Sequence, residues 1–420
     1  MVKLKEIHPN VKFRLVMQFF GGLVSMAVMP FLAIYFAGKL GAAITGIVLV
    51  VVILSGIAGG FLGGTLSDKL GRKKIMVYGE LGLLVSYVFI TLCNSPWFDL
   101  PYVTAFLFIF NMFFGGLFSP AAQAMIIDVT DSASRKTVFT ISYWLANLAN
   151  AIGGVVGAFL FKDYLFQLFI GVTSITFISL LVTISIHLGK LFTSESHEDV
   201  PPVSISYSSV LKDKLFMYFI VGGILILTLE QSLTNYIGIR FERDIPQQTG
   251  SVFGLSFELD GTRLLGFLRT ENTLLVVALS ALVLLMFRKW RDRTTLLTGL
   301  IVFTICFSAF AVTDNILFLF ILMFFGTVGE LMYVPIKQAM IGDLAPENGR
   351  STYMAFYSLT GYGAMIIASL LIVVGEWLSP VYMGGVLLLI GLGGSLCYGI
   401  LTARMSGAAS KEVILKAEEM

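Results

Sequence analysis

Glu330 is the residue of this chain best placed to do chemistry. It stands within a long apolar run and is flanked by Gly326 and Gly329, so a neighbouring helix backbone can approach it closely. Ionisable groups in such runs are costly and mark proton or ion pathways. The expected chemistry is therefore reversible proton carriage. Glu230, beside Gln231, is a second carrier, expected in the outer half of its helix and within reach of Arg269. Asp128 closes another apolar run and is a third, expected to pair with Arg135 or a nearby basic loop. Glu80 is expected to pair with that loop or reach water, and Lys337, seven residues after Glu330, to snorkel. Tyr143, Trp144 and Asn147 interrupt a run of small residues. With Glu330 and Arg269 they are expected to line a substrate cavity.

Other chemistries find no residues here. There is no nucleotide loop or nucleophile motif. Cys93, Cys306 and Cys397 each lie in apolar runs without metal-ligand spacing, and His8, His187 and His197 are scattered. We expect no catalytic residues, no metal and no cofactor, with a proton gradient as the energy source; the chain is not expected to be an enzyme. A net charge of +2 without a large basic cluster excludes nucleic-acid binding.

The elements that hold these residues must be membrane helices. The chain is 57% hydrophobic and 13% charged, with a mean hydropathy of +0.88. A soluble domain carries about 25% charged residues. A span needs about 20 apolar residues. Such runs fall at 13–37, 43–66, 74–94, 102–127, 137–161, 166–189, 215–238, 271–287, 294–312, 316–340, 352–376 and 381–403. With the N-terminus inside, all basic residues except Lys39, Lys162, Arg240, Arg243, Arg263 and Arg269 lie on the inner side. Both termini are thus expected in the cytoplasm of a multi-pass protein of the cell (cytoplasmic) membrane. The stretch Ser194-Glu195-Ser196-His197-Glu198-Asp199, followed by Pro201-Pro202, cannot bury a core. It divides the chain into an N-terminal bundle at 1–189, a cytoplasmic linker at 190–214 and a C-terminal bundle at 215–420, six helices each.

Residues 251–268 do not read as a plain loop. Apolar residues alternate up to Asp260-Gly261, a two-residue hairpin signal. A turn there would pair Leu259 with Thr262 and Phe257 with Leu264, and set Glu258 opposite Arg263. The expectation is an extracellular β-hairpin between helices seven and eight, with one apolar face open to an extracellular partner.

Between spans two and three the chain reads Gly64-Thr65-Leu66-Ser67-Asp68-Lys69-Leu70-Gly71-Arg72-Lys73-Lys74. Gly64 and Gly71 permit close helix contact and a tight turn. Asp68 lies at a helix C-terminus, where the dipole disfavours an anion, so it needs a partner such as Arg72. Gly64, Asp68, Gly71 and Arg72 form the expected conformational gate. This order of glycine, acid and basic cluster resembles the signature loop of the major facilitator superfamily. Ala43-Ile44-Thr45-Gly46-Ile47, Tyr143-Trp144-Leu145-Ala146-Asn147-Leu148 and Gly329-Glu330-Leu331-Met332-Tyr333-Val334-Pro335 are similar to its drug:proton antiporters, in particular to lactococcal multidrug transporters. The resemblance implies an all-α fold of twelve helices in two six-helix bundles. It puts Asp68, Asp128 and Glu330 on acidic positions of that group and Arg269 on a basic one. Two positions depart from it: Ser142 stands where an acid precedes Tyr143, and Leu233 where a helix-seven acid is expected, with Glu230 one turn earlier.

The implied function is proton-coupled export of amphipathic or cationic organic compounds (multidrug efflux) by alternating access, with the chain working as a monomer in the bilayer. A transporter of one metabolite is the first alternative. A membrane sensor or partner-binding protein without transport is the second.

Overall fold

A computed structural model of the chain describes residues 9–128, 132–185, 207–252, 255–344 and 350–418. A backbone with no water to bond must close its hydrogen bonds locally, so apolar runs of this length become helices. The first span is built from α1 (Pro9–Val28), a 3-10 turn at Met29–Phe31 and α2 (Leu32–Leu40). There follow α3 (Ala42–Leu70), α4 (Arg72–Cys93), a two-residue hairpin pair β1 (Asn94–Ser95) and β2 (Phe98–Asp99), α5 (Pro101–Asp128), α6 (Ser132–Leu160) and α7 (Leu165–Ser185). After short α8 (Tyr207–Lys212) come α9 (Lys214–Ser232), a π-helical turn at Leu233–Ile237 and α10 (Gly238–Asp244). Strands β3 (Gln248–Val252) and β4 (Leu255–Leu259) lead into α11 (Gly261–Phe287), α12 (Asp292–Ala309), α13 (Ile316–Leu344), α14 (Arg350–Val374) and α15 (Pro380–Glu418). Every expected span overlaps a helix. Among the described residues nine helices are long and apolar enough to cross a membrane, while α6 and α14 carry shorter apolar runs at Trp144–Leu160 and Leu359–Val374. The protein is thus an all-helical, multi-span membrane protein.

The chain divides into two compact units, the first formed by Met1–Ser196 with Gly238–Thr273 and the second by His197–Ile237 with Leu274–Met420. In the first, glycines bring backbones together as small residues do in membrane bundles. Gly59 and Gly63 of α3 lie against the Phe113 and Leu117 carbonyls of α5, and Gly153 and Gly157 of α6 against Leu23 and Ala27 of α1. A side chain at any of these would strike backbone. Gly64 is different: a Cβ there meets nothing within 4 Å. The close contact expected at Gly64 is made by Gly63, one residue earlier and on another face of the helix. In the second unit Gly299 of α12 and Gly329 of α13 face each other, and a Cβ on Gly299 would lie 2.7 Å from the Gly329 carbonyl oxygen.

The hairpin exists, but its turn is not at Asp260-Gly261. β3 pairs antiparallel with β4 in the register Gln248 with Leu259, Thr249 with Glu258 and Val252 with Leu255, so both arms of the hairpin precede Asp260. Asp-Gly signals a helix start as well as a turn, and the helix start wins. The Asp260 carboxylate accepts from the Arg263 amide at 2.8 Å, and the Leu264 amide bonds the Asp260 carbonyl at 2.9 Å. Gly261 packs on the Phe241 backbone, where a Cβ would not fit. The expected pairings of Leu259 with Thr262 and Phe257 with Leu264 therefore do not form. Arg263 still meets Glu258, donating to its carbonyl at 3.0 Å, but from the first turn of α11. The expected apolar face of the hairpin lies outside the described residues.

Candidate functional site

In the second unit α9 and α13 each carry charged residues within their membrane-length runs. Glu230 sits near the middle of the α9–α10 helical run, one turn before the π-helical turn. Such turns often occur at functional positions, because they break the regular backbone ladder. On α13, Glu330, Tyr333 and Lys337 follow at intervals of three and four residues, so they share one face. Lys337 is buried, and its ammonium lies 5.8 Å from the centre of the Tyr333 ring. The charges of Glu230 and Glu330 both act on Lys337 and on the buried Tyr333 hydroxyl. Tyr333 is fixed by an edge-on contact with Phe303, ring centroids 5.4 Å apart. Pro335 lies inside α13 and leaves the Leu331 carbonyl without its helical donor, loosening the helix between Leu331 and Pro335. The snorkelling expected of Lys337 does not occur: its side chain is buried, against the Tyr333 ring. Two membrane carboxylates whose charges act on one buried ammonium can take up a proton or a cation and release it when the balance of charge changes.

The first unit holds a second buried charge pair that the sequence reading missed. Arg14 of α1 and Glu80 of α4 lie 3.7 Å apart, their side chains 7% and 3% exposed. Ser179 of α7 donates to Glu80 Oε1 at 2.6 Å, and the Arg14 guanidinium stacks 4.5 Å from the Phe118 ring centre. Both residues line a cavity of about 650 Å³ inside this unit, together with Gln18, Asn111 and Ser142. Glu80 therefore pairs neither with the basic loop nor with water. Gly79 and Gly82 lie against Phe118 and Phe114 of α5, and that close contact holds the Glu80 face of α4 inward.

A third cluster ties the α6–α7 connection to the start of α11 within the same unit. Lys162 donates to Glu242 at 2.6 Å and to Asp260 at 3.2 Å. Glu242 accepts from the Thr262 amide and hydroxyl, and Arg263 pairs with Asp163. Partial burial opposes the charge on Lys162, but the bonds and charges of Glu242 and Asp260 outweigh it and hold its pKa above the ordinary lysine value.

The other expected site residues are placed as follows. Asp128 ends α5 and Asp68 lies two residues before the end of α3, but the side chains of both, and of Tyr143, are outside the described residues. Trp144 is 62% exposed on α6, three residues before the half-buried Asn147. Arg269, on α11, belongs to the first unit, whereas Glu230 and Glu330 belong to the second. Gly71 has φ 92° and separates α3 from α4, so the expected tight turn is formed, with half-buried Arg72 as the first residue of α4.

The profile described as Major Facilitator Superfamily matches residues 15–288 and 264–412. The chain belongs to the major facilitator superfamily. A Na(+), Li(+), K(+)/H(+) antiporter of Planococcus maritimus is 30% identical over 389 residues, covering 90% of this chain and 92% of that one. The multidrug resistance protein MdtH of Salmonella choleraesuis is 24% identical over 364 residues, 85% of this chain and 83% of that one. Among solved structures, the nucleoside transporter NupG superposes with a TM-score of 0.70 at 14% identity, over 94% of this chain and 99% of NupG. At that identity the likeness concerns the fold. Membership of this superfamily makes the chain a secondary transporter rather than an enzyme. The segment Gly64 to Lys74 turns at Gly71, and Lys73 donates to the Ile184 carbonyl near the end of α7 at 2.8 Å.

Proposed function

We propose that this transporter is a proton-coupled antiporter that expels monovalent cations. The observation that supports this best is the cluster of Glu230, Glu330 and Lys337 on membrane-length helices of the second unit. A proton on Glu330 weakens the carboxylate's hold on Lys337, and a cation competes with that proton for the same oxygens. Proton and cation then occupy the site in turn, as antiport requires, and each favours a different conformation only through its different contacts. The cation/proton antiporter at 30% identity supports a small monovalent cargo. Amphipathic organic cations are the second reading, favoured by the MdtH relatives.

The bundles at 1–189 and 215–420, joined by the linker at 190–214, are the moving parts of this proposal. The distribution of basic residues supports cytoplasmic termini, which puts the β3–β4 hairpin and the Lys162 cluster on the outer side. Gly64, Asp68, Gly71 and Arg72 act as the inner gate, and Asp128 as a further proton position.

The test uses proteoliposomes with an imposed pH gradient and an internal pH dye. Addition of Na⁺, Li⁺ or K⁺ should move protons in the wild type, and Glu330→Gln should abolish the response. A response to lipophilic cations alone would select the second reading. A folded protein that moves protons with no cation of either kind would overturn the proposal.

A further inference from the structure

The cavity of the first unit contains unspent hydrogen-bonding capacity. Glu80 Oε2 and Gln18 Oε1 are both buried and have no donor. Buried acceptors of this kind are seldom left unmet, so a ligand with donors is expected against them. The Arg14–Glu80 separation of 3.7 Å is longer than an ordinary hydrogen bond. Among the described residues Arg14 and Glu80 are the two charged ones lining the cavity, and Met17, Leu83, Met112 and Phe118 make much of its wall apolar.

The charges decide the class of ligand. The cavity already balances one positive and one negative charge. An added cation or anion would leave one charge uncompensated in a buried site, which is strongly unfavourable. A zwitterion leaves the balance at zero and uses both halves of the pair. We infer that this cavity binds an amphipathic zwitterion of the amino-acid or dipeptide type. Its ammonium takes Glu80 Oε2 and Gln18 Oε1, its carboxylate takes the Arg14 guanidinium, and its side chain lies among Met17, Met112 and Phe118. A volume of about 650 Å³ is ample for such a molecule and far larger than a metal ion needs. This inference does not rest on the cation reading of Glu330.

The experiment is calorimetric titration of the purified full-length protein in detergent with L-leucine, L-phenylalanine and L-leucyl-L-phenylalanine. Phenethylamine and 3-phenylpropionate, each carrying one charge of the pair, are the controls. At least one zwitterion should bind, and both controls should bind about tenfold to hundredfold more weakly, the worth of one charged hydrogen-bonded contact. Glu80→Gln and Arg14→Gln should each lose that affinity. Because either variant could misfold, Gly21→Leu provides an independent check. Gly21 lines the cavity, and a Cβ there meets nothing within 4 Å, so the new side chain enters the cavity without moving the backbone. It should block binding while the melting temperature stays near wild type. Equal binding of the single-charge controls, binding that survives Gly21→Leu, or no binding of any zwitterion to a cooperatively melting wild type would overturn the inference.

Discussion

Breaking the Arg14–Glu80 pair should destabilise the first unit, and the cost follows from the geometry. Two unit charges 3.7 Å apart attract by about 4 kcal/mol at the effective dielectric of about 20 that suits most protein sites. Removing one partner of a buried pair typically costs about 3–5 kcal/mol, because the other charge is left uncompensated. Two features reduce this for Glu80→Gln. The substituted amide still accepts from Ser179, and Arg14 keeps its contact with the Phe118 ring, worth about 1 kcal/mol. A loss of about 3 kcal/mol is therefore expected for Glu80→Gln, and at least as much for Arg14→Gln. The double variant should lose much less than the sum, giving a coupling of about 2–3 kcal/mol. Reversible unfolding in mixed micelles, followed by tryptophan fluorescence along a titration with SDS, measures all four proteins. Additivity within about 0.5 kcal/mol would show that the two side chains do not act on each other and would refute the reasoning.

Gly71 and Gly64 should respond oppositely to alanine. At φ 92° a Cβ at Gly71 costs about 1–2 kcal/mol, whereas Gly64→Ala enters open space and should stay within about 0.5 kcal/mol of wild type; equal melting temperatures for the two variants would contradict this. Lys162→Gln should cost up to about 1 kcal/mol, since the side chain is 42% exposed and its pairs are screened. Its folded pKa is raised, so this contribution is complete below the unfolded value of about 10.4 and is lost only as pH rises through the folded one. Melting curves at about pH 6 and pH 8 should show the same loss, and a loss confined to one of them would mean that a different group titrates.

Most of the helical architecture could be read from apolar run length alone, because membrane helices must satisfy their backbone internally and leave few alternatives. The weakest reading was at the start of α11. The chain between α10 and α11 carries a genuine strand pattern, so residues Gly261 to Leu268 read equally well as the second arm of a hairpin. Local alternation cannot separate the two, because the deciding contact is Gly261 against Phe241, twenty residues earlier. The partners of the buried charges were also hidden. Arg14 and Glu80 meet because α1 and α4 share a bundle, and no spacing within either helix reports that. Lys337 could have been recognised, since seven residues are close to two helical turns and place it on the Glu330 face.

One signal in the sequence extends to both charged sites. Glu330 follows Gly329, with Gly326 one turn earlier, and those glycines were reason to expect a neighbouring backbone beside the carboxyl. Glu80 has the same surroundings, with Gly79 before it and Gly82 two residues after. In both helices the glycines face another helix at close range: Gly329 meets Gly299, and Gly79 and Gly82 meet Phe118 and Phe114. The physical reason is common to the two. A glycine beside a carboxylate turns that part of the helix towards protein instead of lipid, and a charge turned away from lipid must find a partner inside. In membrane helices the residues next to an acid therefore tell more about its fate than its distance from the helix end. Judged by distance alone, Glu80 reads as a side chain reaching for water at the membrane surface; judged by its glycines, it belongs in the interior, where Arg14 meets it.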